Sequence, residues 1–145
     1  MAQTFEKPES VFSPRAAEPV GPYPHAKRVG NLIFVSGIGP RKRGQSAIPG
    51  VTLDTFGKVV THSIDEQCRS AFDNVRMILE DAGSSWENIV DVTVFLTHLQ
   101  ADWAAYNRVY SEYFKNQQPA RTTVEVTCLP TPIAVEIKVI AVANG

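Results

Sequence analysis

Residues Ala134–Val142 read AVEIKVIAV. Val135, Ile137 and Val139 share one parity, while Ile140 and Val142 share the other. Side chains alternate across a strand, so this segment is apolar on both faces. A strand of that kind expects cover from both sides. Glu136 stands inside it, and a carboxylate in an apolar strand needs a partner or a use. Just upstream, residues 120–128 read ARTTVEVTC, a second strand. Arg121, Thr123, Glu125 and Thr127 fall on one side of it; Thr122, Val124 and Val126 fall on the other. An arginine opening a strand is either a bidentate clamp for a carboxylate or a cation at an exposed sheet edge. Glu136 is a general base, half of a salt bridge, or a residue of a solvated face. The intervening LPTP, residues 129–132, reads as a tight connection.

Further back, HAKRVGNLIFVSG gives two short strands, His25–Val29 and Leu32–Ser36, around Gly30-Asn31. A Gly-first pair suits a type II′ hairpin. Residues 37–57, GIGPRKRGQSAIPGVTLDTFG, read as a long loop, and long loops in small domains are often functional. The triplet Arg41-Lys42-Arg43 in it is a solvated loop or an anion-binding lip. GKVV adds a short strand. A helix follows, with Ser63 and Glu66 as a capping box and Ile64, Cys68, Ala71, Val75, Ile78 and Leu79 as its core stripe. Gly83 ends it. NIVDVTVFL is a strand, and Trp103, Tyr106, Val109, Tyr110 and Tyr113 recur at helical spacing. The order β-β-(β)-α-β-α-β-β predicts an α+β domain: one sheet with two helices on one face. Its other face is left for water or a partner subunit.

The chain has 145 residues and net charge −1, a single-domain size with no nucleic-acid footprint. Residues 1–18 carry Pro8 and Pro14 and read as an irregular arm; residues 19–145 form the domain. No apolar run reaches membrane-spanning length and the N-terminus lacks a signal core, so a cytoplasmic protein is expected. Cys68 and Cys128 stand far apart and read as two buried thiols. His25, His62 and His98 have no metal-ligand spacing, and no phosphate loop or nucleophile elbow occurs, so neither metal nor cofactor is expected.

Four segments together carry a resemblance: GPYPHAKRVGNLIFVSG, AFDNVRMILEDAGSSWENIVDVTVFLTH, WAAYNRVYSEYF and PARTTVEVTCLP with AVEIKVIAV. The set resembles the RidA/YjgF family of enamine/imine deaminases over residues 19–143. The resemblance implies a chorismate-mutase-like fold, a homotrimer whose sheets face a central barrel, and sites between subunits. By position, it implies that Arg121 holds a substrate carboxylate and Glu136 positions or activates the hydrolytic water. Tyr23, Ser36 and Asn107 would line the pocket. Thr123 stands where many members have a cysteine, so only a backbone contact would survive there. IGPRKRG replaces the usual QIPL, and in this the chain looks like the 2-aminomuconate deaminase subgroup. A dicarboxylate substrate needs two cationic contacts, and Arg41 or Arg43 would supply the second. The reaction implied is 2-aminomuconate to 4-oxalocrotonate and ammonia, without a cofactor. The alternatives are a general 2-iminoacid deaminase, a non-catalytic ligand-binding regulator, and, from fold analogy alone, a chorismate mutase.

Overall fold

In the computed structural model, which describes residues 7–145, AVEIKVIAV lies inside a sheet. In chain order the elements are β1 (Glu9–Val11), β2 (Ala26–Val29), β3 (Leu32–Val35), β4 (Val51–Leu53), β5 (Val59–His62), α1 (Ile64–Asp81), β6 (Ile89–Leu96), α2 (Leu99–Tyr113), β7 (Ala120–Glu125) and β8 (Val135–Val142). One six-stranded sheet has the order β1-β2-β3-β8-β6-β7, and β4-β5 form a separate hairpin. β6 and β7 are parallel, with α2 as the crossover between them; the other pairs are antiparallel. This is the expected α+β architecture, with α1 and α2 on one face. No helix among the described residues is long and apolar enough to cross a membrane.

The local rules act where the sequence says. Gly30 has φ +58° and, among the described residues, no non-glycine residue has positive φ, which is the II′ pattern at Gly30-Asn31. The Ser63 hydroxyl accepts the Glu66 N–H at 3.3 Å. Only that half of the capping box forms, because the Ser63 N–H donates instead to Gly50 C=O at 2.7 Å. Gly83, at φ +83°, closes α1 with Ser84 N–H to Leu79 C=O at 2.8 Å and Gly83 N–H to Glu80 C=O at 3.3 Å. The core fills the space between helices and sheet. Phe72, Val75, Ile78 and Leu79 of α1 and Val135, Ile137 and Val139 of β8 are each 0% exposed.

Three expectations about connections are corrected. First, β7 and β8 are not joined tightly: β6 lies between them in the sheet, and residues 126–134 cross it. The two-sided apolarity of β8 earns it an inner position, flanked by β3 and β6. Second, the loop 37–57 contains β4, paired with β5 from Val51↔His62. Third, the arm is not wholly irregular. Glu9–Val11 pairs with β2, and Ala16 is 1% exposed. His25 accepts the Ser13 N–H at Nδ1 (2.9 Å) and donates from Nε2 to Ala17 C=O (2.7 Å). Arg15 bonds Asp81 and Glu80 of α1. The first six residues of the arm lie outside the described residues. Of the two cysteines, Cys68 is buried, whereas Cys128 lies in the surface crossing and is exposed. Burial pushes the Cys68 thiol up to about 12, which leaves it unreactive.

Candidate active site

Register places the two charged strand residues on different faces. Arg121 lies opposite Val92, Thr123 opposite Val94 and Glu125 opposite Leu96. Those partners are core residues at 0% exposure, so this parity of β7 looks toward α2. Glu125 confirms the direction, accepting the Leu99 N–H at the start of α2 at 3.0 Å. Glu136 lies opposite Phe95 and between buried Val135 and Ile137. It therefore points to the face that no helix covers.

Arg121 rests on an aromatic bed. Its guanidinium carbon is 4.6 Å from the Tyr110 ring centre, 5.3 Å from that of Tyr106 and 5.5 Å from that of Trp103. Nη1 donates to Asn107 Oδ1 at 2.9 Å. Arg15, Arg43, Arg69 and Arg76 all have carboxylate partners; among the described residues Arg121 has none. A planar cation held flat by rings and one amide, with its charge unpaired, is prepared for a bidentate anion. Thr123 faces the same helix, its hydroxyl 2.8 Å from the Tyr106 hydroxyl. Beside this bed, the Tyr110 hydroxyl is buried and has no hydrogen-bond partner among the described residues.

Glu136 is half-buried, and burial raises its pKa above the ordinary carboxylate value; Lys138 opposes the shift. The backbone at Gly37 runs against it. A Cβ built there would come within 2.6 Å of Glu136 Oε2, so position 37 tolerates only glycine without displacing the carboxylate. Gly37 also lines a small cavity with Glu18, Tyr23 and Arg41. Ser36 precedes it, its hydroxyl donating to Pro24 C=O at 2.8 Å, between Tyr23 and the start of β2.

The expected residues thus fall into two groups. Arg121, Asn107 and Thr123 are gathered under α2. Glu136, Ser36, Tyr23 and Arg41 gather around the β3 terminus. Among the described residues, no cavity is lined by members of both groups. Arg43 is occupied: its guanidinium bonds Ala16 C=O (2.8 Å), Ser13 C=O (3.0 Å) and the Glu18 carboxylate (2.9 Å), which ties down the arm. Arg41 donates to the Glu18 carbonyl. Read from sequence, the aromatic bed is assigned to the helix's spacing alone, not to the site. Its signal was present: Trp103, Tyr106 and Tyr110 at helical spacing with Asn107 among them.

Two of the three histidines meet in space although they share no metal-ligand spacing along the chain. His62 and His98, 36 positions apart in sequence, have ring centres 5.0 Å apart, and His62 Nε2 lies 2.8 Å from Asp102 Oδ2. The β4-β5 hairpin brings His62 to the start of α2, a juxtaposition that linear spacing does not encode.

A sequence model of the family described as Endoribonuclease L-PSP matches residues 13–143. The chain is 41% identical to a RutC family protein of Pyrococcus abyssi over 133 residues, covering 92% of this chain and 95% of that one. It is 34% identical to the 2-iminobutanoate/2-iminopropanoate deaminase of Dermatophagoides farinae, covering 91% and 94%. The crystal structure of the YjgF gene product from E. coli superposes with a TM-score of 0.80 at 32% identity, covering 94% and 99%. With its match spanning nearly the whole domain and its fold shared, the chain belongs to the RidA/YjgF family.

Proposed function

We propose that the protein is a hydrolytic deaminase of enamine and imine carboxylates, and that its site is completed between copies of the chain. The observation that carries this reading is Arg121: a cation without an acidic partner, oriented by Asn107 and laid on three rings. Such a group binds a carboxylate in two parallel hydrogen bonds. Next to a C=N carbon, it also draws electron density from the reacting centre.

Water is then a sufficient nucleophile. Glu136, with its raised pKa, takes a proton from the water as the oxygen adds to the imine carbon. The nitrogen receives a proton, the C–N bond breaks, and ammonia leaves behind a 2-oxo acid. An enamine substrate first moves a proton to carbon to become the imine. Because Arg121 and Glu136 look to opposite faces, one chain cannot offer both to one substrate. A homotrimer that sets the open face of one copy against the β7 edge of the next would bring Glu136 of one copy toward Arg121 of the other. The open face is suited to this, since Leu32, Phe34, Phe95, Val124, Ile140 and Val142 make it largely apolar.

Within the substrate class we favour 2-aminomuconate, giving 4-oxalocrotonate. Arg41, beside Tyr23 and Gly37, would meet the second carboxylate; its one bond to the arm is to a carbonyl, whereas Arg43 is held by two carbonyls and the Glu18 carboxylate. The second reading, a general 2-iminoacid deaminase, is favoured by the activity named for the Dermatophagoides relative. Ammonia release from purified protein tests both. Faster turnover of 2-aminomuconate than of 2-iminopropanoate supports the first, the reverse supports the second, and no release from either overturns the deaminase.

A further inference from the structure

His62, His98 and Asp102 each present a ligand atom, and the three atoms lie within 4.8 Å of one another. The cluster is separate from the deaminase residues: none of the three bonds Arg121 or Glu136. His62 ends β5, His98 precedes α2, and Asp102 lies in the first turn of α2. We propose that these residues form a binding site for a divalent transition cation of the zinc class.

The donor set suits that ion. Two imidazoles and a carboxylate are borderline ligands, which zinc accepts at about 2.0–2.2 Å in a tetrahedral arrangement. Ligand atoms in such a site stand about 3.4 Å apart. His62 Nε2 and Asp102 Oδ2, at 2.8 Å, are already on either side of a proton that a cation would replace. His98 is exposed, so a small adjustment of its side chain can close the remaining distance. Its Nδ1 lies 2.9 Å from the Thr97 hydroxyl. With Nδ1–H donated there, Nε2 keeps its lone pair for the metal and the ring is held in orientation.

Three features speak against a merely structural use of these side chains. His98 occupies the N-cap of α2 yet caps nothing with its ring; the Leu99 N–H is satisfied by Glu125. Asp102 is 8% exposed, and among the described residues its side chain bonds His62 alone. The cluster also opens onto a pocket of about 410 Å³ that both histidines line, along with Cys128. Three protein ligands leave a fourth position on that side for water or a small ligand. The metal would fasten the β4-β5 hairpin to the body, where the hairpin otherwise presents Phe56 and Val60 to solvent.

Metal-stripped protein titrated with Co²⁺ and followed by visible absorption, and with Zn²⁺ by calorimetry, reads the site without reference to catalysis. One ion per chain is expected, with a rise in melting temperature on adding Zn²⁺. His98→Ala, which alters an exposed side chain outside the core, should fold and lose affinity at least about tenfold. Asp102→Asn should do the same. Anomalous scattering at the zinc edge should peak among the three side chains. Absence of binding overturns the proposal. So does binding that His98→Ala leaves unchanged, which would place the ion elsewhere.

Discussion

The two faces of the six-stranded sheet are built from the same strands by opposite rules. On the helix face, Val135, Ile137, Val139 and Ala141 of β8 and Val92, Val94 and Leu96 of β6 are fully buried, and Arg121 of β7 rests against rings of α2. On the open face the same two strands present Glu136, Lys138, Ile140, Asp91, Thr93 and Phe95, all left partly or wholly accessible. The first face is covered by the helices of its own chain; the second carries both apolar and charged side chains with no helix over them. A carboxylate half-buried on an unfinished face has a raised pKa already, and a second copy would desolvate it further. On the proposed reading, strand parity divides the pair: Arg121 is oriented within the chain, and Glu136 would be completed by a second copy.

That contrast can be broken. Glu136→Gln keeps shape and removes the base, so kcat should fall by about 10²–10⁴-fold with little change in binding of a product analogue; steady-state kinetics and a binding titration together check it. Arg121→Ala should lower kcat/KM by roughly 10²–10³-fold, chiefly through KM, and Arg121→Lys should recover only part because it cannot grip bidentately. Mixing the two inactive variants after unfolding and reassembly is the sharper experiment. If each site takes one residue from either neighbour in a trimer, random mixing restores about a quarter of wild-type activity. A mixture that stays inactive would show that both residues must come from one chain, and the division by faces would carry no functional meaning.

Smaller effects separate packing from assembly. Ile137→Ala, on the helix face, should destabilise the chain by about 2–5 kcal/mol in denaturant unfolding. Ile140→Ala, three positions on, should cost less in chain stability and show itself instead as a lower association constant by sedimentation. Equal losses for both would mean that the open face is already covered within the chain.

The pH dependence is the finest test. The Glu136 carboxyl titrates above its ordinary value of 4.5, so between the two values the folded chain holds a proton that the unfolded chain has released. Stability should therefore fall as pH rises through that window, and Glu136→Gln should flatten the fall. Activity moves the other way, rising as the base deprotonates, and its acid limb should track the same group.

Much of this molecule was legible in its residues because the signals are local. Ser63, Gly83 and the stripe of α1 fix that helix by capping, αL geometry and period, and Gly30-Asn31 fixes the β2-β3 turn. Arg121 and Glu136 stood out because charge in an apolar strand is conspicuous at one residue's distance. Strand partners were not legible. Nothing in LPTP announces that β6 slips between β7 and β8, since strand order is chosen by which faces must be buried across the whole sheet. Nor did spacing reveal His62 beside His98 and Asp102, or Arg43 clasping the arm.

The sequence by itself therefore determined the elements, the parity of each strand and the residue types able to do chemistry. Tertiary structure decided which of them meet. It laid Arg121 on Tyr110 and turned Glu136 to the opposite face, because those outcomes depend on register and crossover, which are settled by burying area over long separations rather than by any neighbour along the chain.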